Sequence, residues 1–401
     1  MTPRVVLGLG GGIDIELKLS ARALEQLIDE YHIRLVELTA SAPVNTERDL
    51  VVSILAHIAR GGGGEHFVAS AGAIQTFAER FPSRITLGGT SVRAGITMSR
   101  LGVPTTLHLV TLNQHVRDLM PASCDYVSSG HEDTFYPHLI VQYDQDIDIR
   151  AGDVQVRASF ANRLIYVNDP DNEILMISEE LGGMLREARL FLVSGFNAVR
   201  DPQVLDQRLR DLRRHMEQLP DDALVYLEDA AYHEPAANQR VRDELLDVMD
   251  IFGLNEDEMQ TELGRSVDLL STPDVEAAIN ELRRLIPIPT LVLHTKHWSA
   301  AVGLNAADYT DSLDIGMAMA STRYSYGDDF SAEQYERIAT GPRGVAATRF
   351  AAELNTRMGP AVMCRPGFTL NVAEPTTVGL GDAFVGGFLT ALARKKAGQW
   401  T

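Results

Sequence analysis

Thr376-Thr377-Val378-Gly379-Leu380-Gly381-Asp382-Ala383-Phe384 closes the last loop of the chain and opens its last helix. Two glycines flank Leu380, an aspartate follows, and Phe384, Val385, Phe388, Leu389 and Leu392 then share one helical face. Arg394, Lys395 and Lys396 come where cations complement a helix C-terminus. A glycine turn feeding a helix bares backbone N–H groups and a partial positive charge, which suits a phosphate. Asp382 stands where it could take the proton of an attacking hydroxyl. A plain helix cap accounts equally well for an aspartate at this point, so the decision lies upstream.

Moving outward from that turn, strand-like apolar runs recur, each ending in glycine or polar residues. Arg4-Val5-Val6-Leu7-Gly8-Leu9 runs into Gly10-Gly11-Gly12-Ile13-Asp14, and Ser83-Arg84-Ile85-Thr86-Leu87 runs into Gly88-Gly89. Ala223-Leu224-Val225-Tyr226-Leu227 ends in Glu228-Asp229, Ile251-Phe252-Gly253-Leu254 in Asn255-Glu256-Asp257-Glu258, and Thr290-Leu291-Val292-Leu293 in His294. Helical patterns alternate with them, including one over Glu47–Arg60 whose apolar residues point one way. The stretch 83–110 reads as a β-Gly-Gly-α-β unit. The fold expected is therefore α/β, a doubly wound three-layer sheet with ligand groups along the carboxyl ends of its strands. Between 137 and 178 the texture turns β-rich, and Asn168-Asp169-Pro170-Asp171-Asn172 looks like the turn of a hairpin between 163–167 and 174–177. This segment reads as a small lid; a lid keeps water from a reactive phosphoryl group. The expected division is a large domain from 1–14, 52–136 and 179–401, with the lid from 15–51 and 137–178.

Bulk properties narrow the class. The 401 residues carry 36 Lys and Arg against 55 Asp and Glu, a net charge of −19, which argues against nucleic acid or an anionic membrane as main partner. Two distant cysteines, Cys124 and Cys364, fit a reducing cytoplasm better than a disulfide framework. The chain's beginning does not read as a signal peptide, and no apolar run approaches the ~20 residues of a membrane span.

The strand-end groups form a set. Asp14, Glu65 after the four glycines 61–64, and Gly88-Gly89 suit a polyhydroxylated, sugar-like substrate, although solvated loop carboxylates are common. Glu228, Asn255 and Glu258 suit a hydrated magnesium ion, since hard cations take oxygen ligands. Acidic residues alone would repel a nucleotide, so this reading calls for magnesium as cofactor. His294 and His297 lie on a strand-to-loop transition that does not suit a zinc pair; His294 belongs near a nucleotide or in an ordinary loop. Arg93, Arg157, Arg163 and Arg200 are candidates to meet a phosphate, with structural or solvated roles as the ordinary alternative.

Gly379-Leu380-Gly381-Asp382 resembles the GxGD signature of the ribokinase superfamily, and Asn255-Glu256-Asp257-Glu258 is similar to its NxxE magnesium motif. Gly253-Leu254-Asn255-Glu256-Asp257-Glu258, Ala161-Asn162-Arg163, Val193-Ser194-Gly195-Phe196 and Gly64-Glu65 resemble pieces of one branch, the ADP-dependent sugar kinases (glucokinase and phosphofructokinase), in the same order along the chain. The resemblance implies a ribokinase-like fold and a magnesium-dependent kinase of carbohydrate metabolism that moves a phosphoryl group from ADP to a sugar or sugar phosphate and releases AMP. It implies Asp382 as base, the backbone of Gly379, Leu380 and Gly381 as anion hole, Glu228, Asn255 and Glu258 at the metal, and Asp14, Glu65, Gly88 and Gly89 at the substrate. Val362, Arg365, His294 and Gly381 would lie by the nucleotide. Departures fall at Tyr226-Leu227-Glu228, where the branch has HxE, at Gly88-Gly89-Thr90-Ser91, where it has GGNA, and at the N-terminal turn, where Gly10-Gly11-Gly12 replace the usual asparagine. An ATP-dependent ribokinase-like sugar or nucleoside kinase, or a non-catalytic binding protein on the same scaffold, are the alternatives; donor preference separates the first and absence of turnover the second.

Overall fold

The computed structural model describes residues 4–40, 42–232, 234–372 and 375–399, so the first three residues of the N-terminal reading lie outside it. Nine strands form one large sheet in the order Val362–Pro366, Trp298–Gly303, Thr290–His294, Ile251–Asn255, Leu224–Glu228, Ala188–Val193, Arg4–Leu7, Thr105–Leu109, Cys124–Ser128. All pairings are parallel except those of Trp298–Gly303, which runs antiparallel to both neighbours. Parallel strands covered on both faces need apolar residues on both. Accordingly Phe191 and Val193 enter one core with the helices Pro202–Met216 and Thr272–Leu285, while Leu190 and Leu192 enter another with Thr90–Arg100, Thr310–Tyr326 and Leu380–Gln399. This is the three-layer α/β architecture expected.

A second sheet of five strands, in the order Gly64–Phe67, Asn162–Val167, His138–Tyr143, Gly12–Lys18, Ser83–Gly88, faces the carboxyl ends of the first. Its outer face packs on the helices Ala21–Tyr31, Glu47–Arg60 and Ala71–Ala78 and on the hairpin Asp148–Ala151/Val154–Arg157. The period of two along each strand sorts the side chains. Ile15 and Leu17, Leu139 and Val141, Leu164 and Tyr166 enter this outer core. Asp14, His138, Ile140, Arg163 and Ile165 are left on the inner face and line a cleft between the sheets.

Three expectations need correction. Ser83–Gly88 does not belong to the doubly wound sheet: it pairs antiparallel with Gly12–Lys18, so the β-Gly-Gly-α-β unit crosses from the small sheet to the large one. Gly64–Phe67 and the helix Ala71–Ala78 are likewise part of the small-sheet layer, so much of 52–88, assigned above to the large domain, stands on the other side of the cleft. The expected 163–177 hairpin is a single strand, Asn162–Val167, followed by a short helix, Pro170–Ile174. Asp169 caps that helix by accepting from Asn172 N, and Pro170 sits at its first position, where a missing N–H costs nothing. Cys124 and Cys364 are buried and free, and among the described residues no helix is long and apolar enough to cross a membrane.

Candidate active site

The turn before the last helix is set by Gly379, whose φ of 64° is the left-handed conformation that glycine adopts without strain. A Cβ there would stand 3.0 Å from Arg93 Cδ and 3.1 Å from Arg323 Nε, so the turn is pressed between two arginine side chains. The helix Leu380–Gln399 begins immediately after, with Asp382 in its first turn. Asp382 is partly exposed to a cleft of about 1460 Å³ and lies 3.9 Å from the Arg93 guanidinium (Oδ2 to Nε).

Across from it, Glu228 at the end of the Leu224–Glu228 strand is held by both oxygens. Tyr226 donates its hydroxyl to Oε2 at 3.0 Å, and His294 Nε2 meets Oε1 at 2.8 Å. The histidine missing at position 226 is thus matched by an imidazole reaching the same glutamate from the strand Thr290–His294. Burial works against a charge on His294, yet the neighbouring Glu228 outweighs it and raises the imidazole pKa above its ordinary value. The ring stacks on Phe384, 4.6 Å between centroids, which ties Glu228 to the helix that carries Asp382.

Asn255 and Glu258 close a capping box on the helix Glu256–Leu263: Asn255 Oδ1 accepts from Glu258 N at 3.0 Å, and Glu258 Oε2 accepts from Asn255 N at 2.8 Å. The NxxE pair therefore has a structural role whatever else it does. Burial, with Asp229 and Glu228 nearby, pushes the Glu258 pKa well up, and burial with Glu262 close by raises Asp229 to about 7. Asp229 Oδ2 is buried without a hydrogen-bond partner among the described residues. Carboxylates crowded this way favour a cation among them. Among the described residues no three His, Cys, Asp or Glu side chains are arranged to hold a metal ion directly.

The small-sheet wall centres on Asp14. Arg93 Nη2 bonds its Oδ2 at 2.6 Å, and His138 Nδ1 lies 3.7 Å from Oδ1. Burial raises the Asp14 pKa, with Arg93 and His138 opposing. His138 Nε2 meets Asp169 at 3.0 Å; although burial disfavours its charge, Asp169 and Asp14 lift it to about 9. Asn172, bonded to Asp169 and to both backbone polar groups of Gly11, anchors this group to the first glycine turn. Arg163 projects from the same sheet; burial lowers its pKa, and Asp382 and Asp257 are the acidic groups nearest it in effect.

Of the residues singled out in the sequence, Asp14, Glu65, Gly89, Glu228, Asn255, Glu258, His294, Gly379, Leu380, Gly381 and Asp382 meet on this one cleft. Gly88 lies beneath the wall, where a Cβ would collide with the Asp14 carboxylate. Val362 and Arg365 do not reach the cleft: their strand is at the sheet edge, Val362 turns into the core, and Arg365 pairs with Asp314 at 2.7 Å. Apolar Met317, Tyr324, Phe368 and Leu370 line the cleft as well, and sequence reasoning missed them. These four come from two distant segments, and no local spacing links them. His138 and the Asp169–Asn172 pair were missed too; alternation along 138–143 was the available signal for His138. Of the four arginines, Arg93 and Arg163 line the cleft, Arg157 pairs with the exposed Asp146, and Arg200 lies over the Phe67 ring.

A family model described as the ADP-specific phosphofructokinase/glucokinase conserved region matches residues 3–390. No curated protein matches the sequence. Among solved structures, a hypothetical ADP-dependent phosphofructokinase from Pyrococcus horikoshii aligns with a TM-score of 0.74 at 18% identity, covering 98% of this chain and 99% of that one. An ADP-dependent kinase in complex with fructose-6-phosphate and ADPβS aligns with a TM-score of 0.75 at 12% identity, covering 98% and 95%. A reconstructed last common ancestor of ADP-dependent phosphofructokinases from Methanosarcinales gives 0.71 at 13%, covering 98% and 94%.

Proposed function

The chain belongs to the ADP-specific phosphofructokinase/glucokinase family of sugar kinases, and from that premise we propose that it transfers the β-phosphoryl group of ADP to a hydroxyl of a neutral sugar or polyol, releasing AMP. The observation that carries this reading is the position of Asp382: it stands in the first turn of a helix, on one cleft with the carboxylate-lined small sheet and with the Glu228–Glu258 corner.

In the proposed reaction the acceptor hydroxyl gives its proton to an Asp382 carboxylate oxygen as its own oxygen bonds to the β-phosphorus. The bond from that phosphorus to the bridging oxygen breaks, and the electron pair leaves with AMP. Backbone N–H groups of Leu380 and Gly381, with the helix dipole, hold the oxygens on which charge develops. Arg163 faces them from the small sheet and adds a fixed cation. Glu228, Asn255 and Glu258 would hold a magnesium ion through its water, and that ion would neutralise charge at the phosphates. The apolar lobe of Met317, Tyr324, Phe368 and Leu370 suits the purine.

The charge of the small-sheet wall supports the neutral acceptor in this reading. The small-sheet wall offers Asp14, Glu65 and the amide of Asn162; its cations are already matched, Arg93 by Asp14 and Glu16 and His138 by Asp169, while Arg163 has Asp382 as its leading acidic neighbour. Such a wall accepts and donates hydrogen bonds to hydroxyls and repels a phosphate at the far end. The test is a coupled screen of ADP and ATP against neutral sugars, sugar phosphates and nucleosides. AMP release with ADP and a neutral sugar is expected. Turnover only with ATP would overturn the donor, turnover only with sugar phosphates the acceptor, and no turnover with any pair the enzyme.

A further inference from the structure

We propose that Arg93 is a positioning residue that ties the acceptor carboxylate Asp14 to the base Asp382, and that phosphoryl transfer depends on this tie; the proposal rests on the kinase reading above. Arg93 lies in the first turn of the helix Thr90–Arg100, four residues after Gly89, and is 6% exposed. Two different nitrogens of its guanidinium face the two carboxylates. Nη2 bonds Asp14 at 2.6 Å and Glu16 at 3.0 Å, while Nε lies 3.9 Å from Asp382 Oδ2. A planar fork can span two acids at fixed separation, as an ammonium cannot.

The tie is braced from behind. Arg323 Nε donates to Val378 O at 2.6 Å, next to the Gly379 turn that packs on the Arg93 stem. Arg323 also pairs with Asp328; Asp328 takes Arg84 at 3.2 Å, Arg84 takes Glu16 at 2.7 Å, and Glu16 takes Arg93. This closed circuit runs from the catalytic turn through the Thr310–Tyr326 helix to two strands of the small sheet and back. Burial works against the charge of Glu16, yet Arg93 and Arg84 hold its pKa down at about 2, and Glu16 stays ionised between its two arginines. Asp14 comes from the small sheet and Asp382 from a helix of the large layer; Arg93 bonds the first at 2.6 Å and lies 3.9 Å from the second. An acceptor hydroxyl oriented on Asp14 is thereby kept within reach of Asp382, and a misplacement of about 1 Å can cost on the order of 10²-fold in rate.

The test compares Arg93→Lys, the double variant Arg93→Gln with Glu16→Gln, and Arg84→Gln, reading kcat, the KM of acceptor and of ADP, and thermal melts on the full chain. Arg93→Lys keeps a positive charge beside Asp14 and Glu16 but loses the span; a fall in kcat of about 10²-fold, with acceptor KM nearly unchanged, is expected. The double variant removes the buried charges as a pair, and the same fall in kcat with a raised acceptor KM is expected while the melt stays cooperative. Arg84→Gln opens the circuit on its outer side, and a lower melting temperature with a much smaller fall in kcat than that of Arg93→Lys is expected. A folded Arg93→Lys protein with wild-type kcat would overturn the proposal. So would an Arg84→Gln protein that loses kcat as far as Arg93→Lys does, because the effect would then be general stability. Wild-type protein without kinase activity would instead remove the kinase reading, and this inference with it.

Discussion

On the large-sheet wall of the cleft, candidate groups stand beside their chain neighbours: Asn255 and Glu258 share one helical turn, and Gly379 to Asp382 are consecutive. On the small-sheet wall, Asp14, Glu65, His138 and Arg163 come from four different strands and meet only through register, with Asp14 opposite His138 and Glu65 opposite Ile165. Along the first wall the Asn255–Glu258 cap is held within its own segment, and His294 is the partner Glu228 takes from another strand. On the second the polar groups are held by one another: His138 between Asp14 and Asp169, Asp14 between Arg93 and His138. A single substitution on the first wall should therefore remove chemistry while leaving the fold alone. One on the second should disturb binding and stability together, because each buried charge there is the partner of another.

The sharpest way to break this contrast is Asp382→Asn. Loss of a general base costs ~10²–10⁴-fold, so AMP release should collapse by that much with an unchanged thermal melt; a large drop in melting temperature would show that the first wall is not modular. Next in size is Glu258→Gln. An amide still accepts from Asn255 N and keeps the cap, so stability should hold. The magnesium concentration for half-maximal rate should rise by about 10–100-fold, the usual cost at metal-supporting positions, and chelation should stop the wild-type reaction. A rate unchanged at limiting magnesium would move the cation away from this corner.

On the second wall, His138→Gln removes the charged partner of Asp14 and Asp169. Losing one hydrogen bond to a charged group costs about 1.5–3 kcal/mol. Acceptor KM should rise by about tenfold or more and the melting temperature should fall with it; a change in kcat alone would contradict the division of labour. The smallest effect expected is a pH dependence of stability. His138 is raised from 6.5 to about 9 by its carboxylate partners. Its contribution is then fully present below about pH 6.5 and is lost as pH rises through about 9. Melts of the wild type should decline across that window and those of His138→Gln should decline less; parallel curves would show that His138 titrates elsewhere.

Much of the first wall could be read before any coordinates, because its motifs are short, local and placed at strand ends where α/β sheets put ligands. Two of the corrections share a cause. Ser83–Gly88 followed by a glycine turn and a helix looks the same in sequence whether its strand joins a parallel or an antiparallel sheet, and the choice is made by Gly12–Lys18 pairing from about seventy residues away. Val362 and Arg365 were placed by resemblance near the nucleotide, but the antiparallel turn back of Trp298–Gly303 sets their strand at the sheet edge, beyond the cleft.

Sequence alone determined the α/β class, the glycine turn that opens the last helix, the aspartate in its first turn and the Asn255–Glu258 pair. Each depends on contacts within one turn or on the 3.6- and 2-residue periods of a single element. Only the tertiary structure decided that Tyr226 and His294 grip Glu228 from two strands, that the inner face of a second sheet supplies the other wall of the cleft, and that Arg93 stands between Asp14 and Asp382. Those arrangements depend on strand order and register between segments far apart in the chain. A buried charge takes whatever opposite charge the packing brings within a few ångströms, and spacing along the sequence carries no record of that distance.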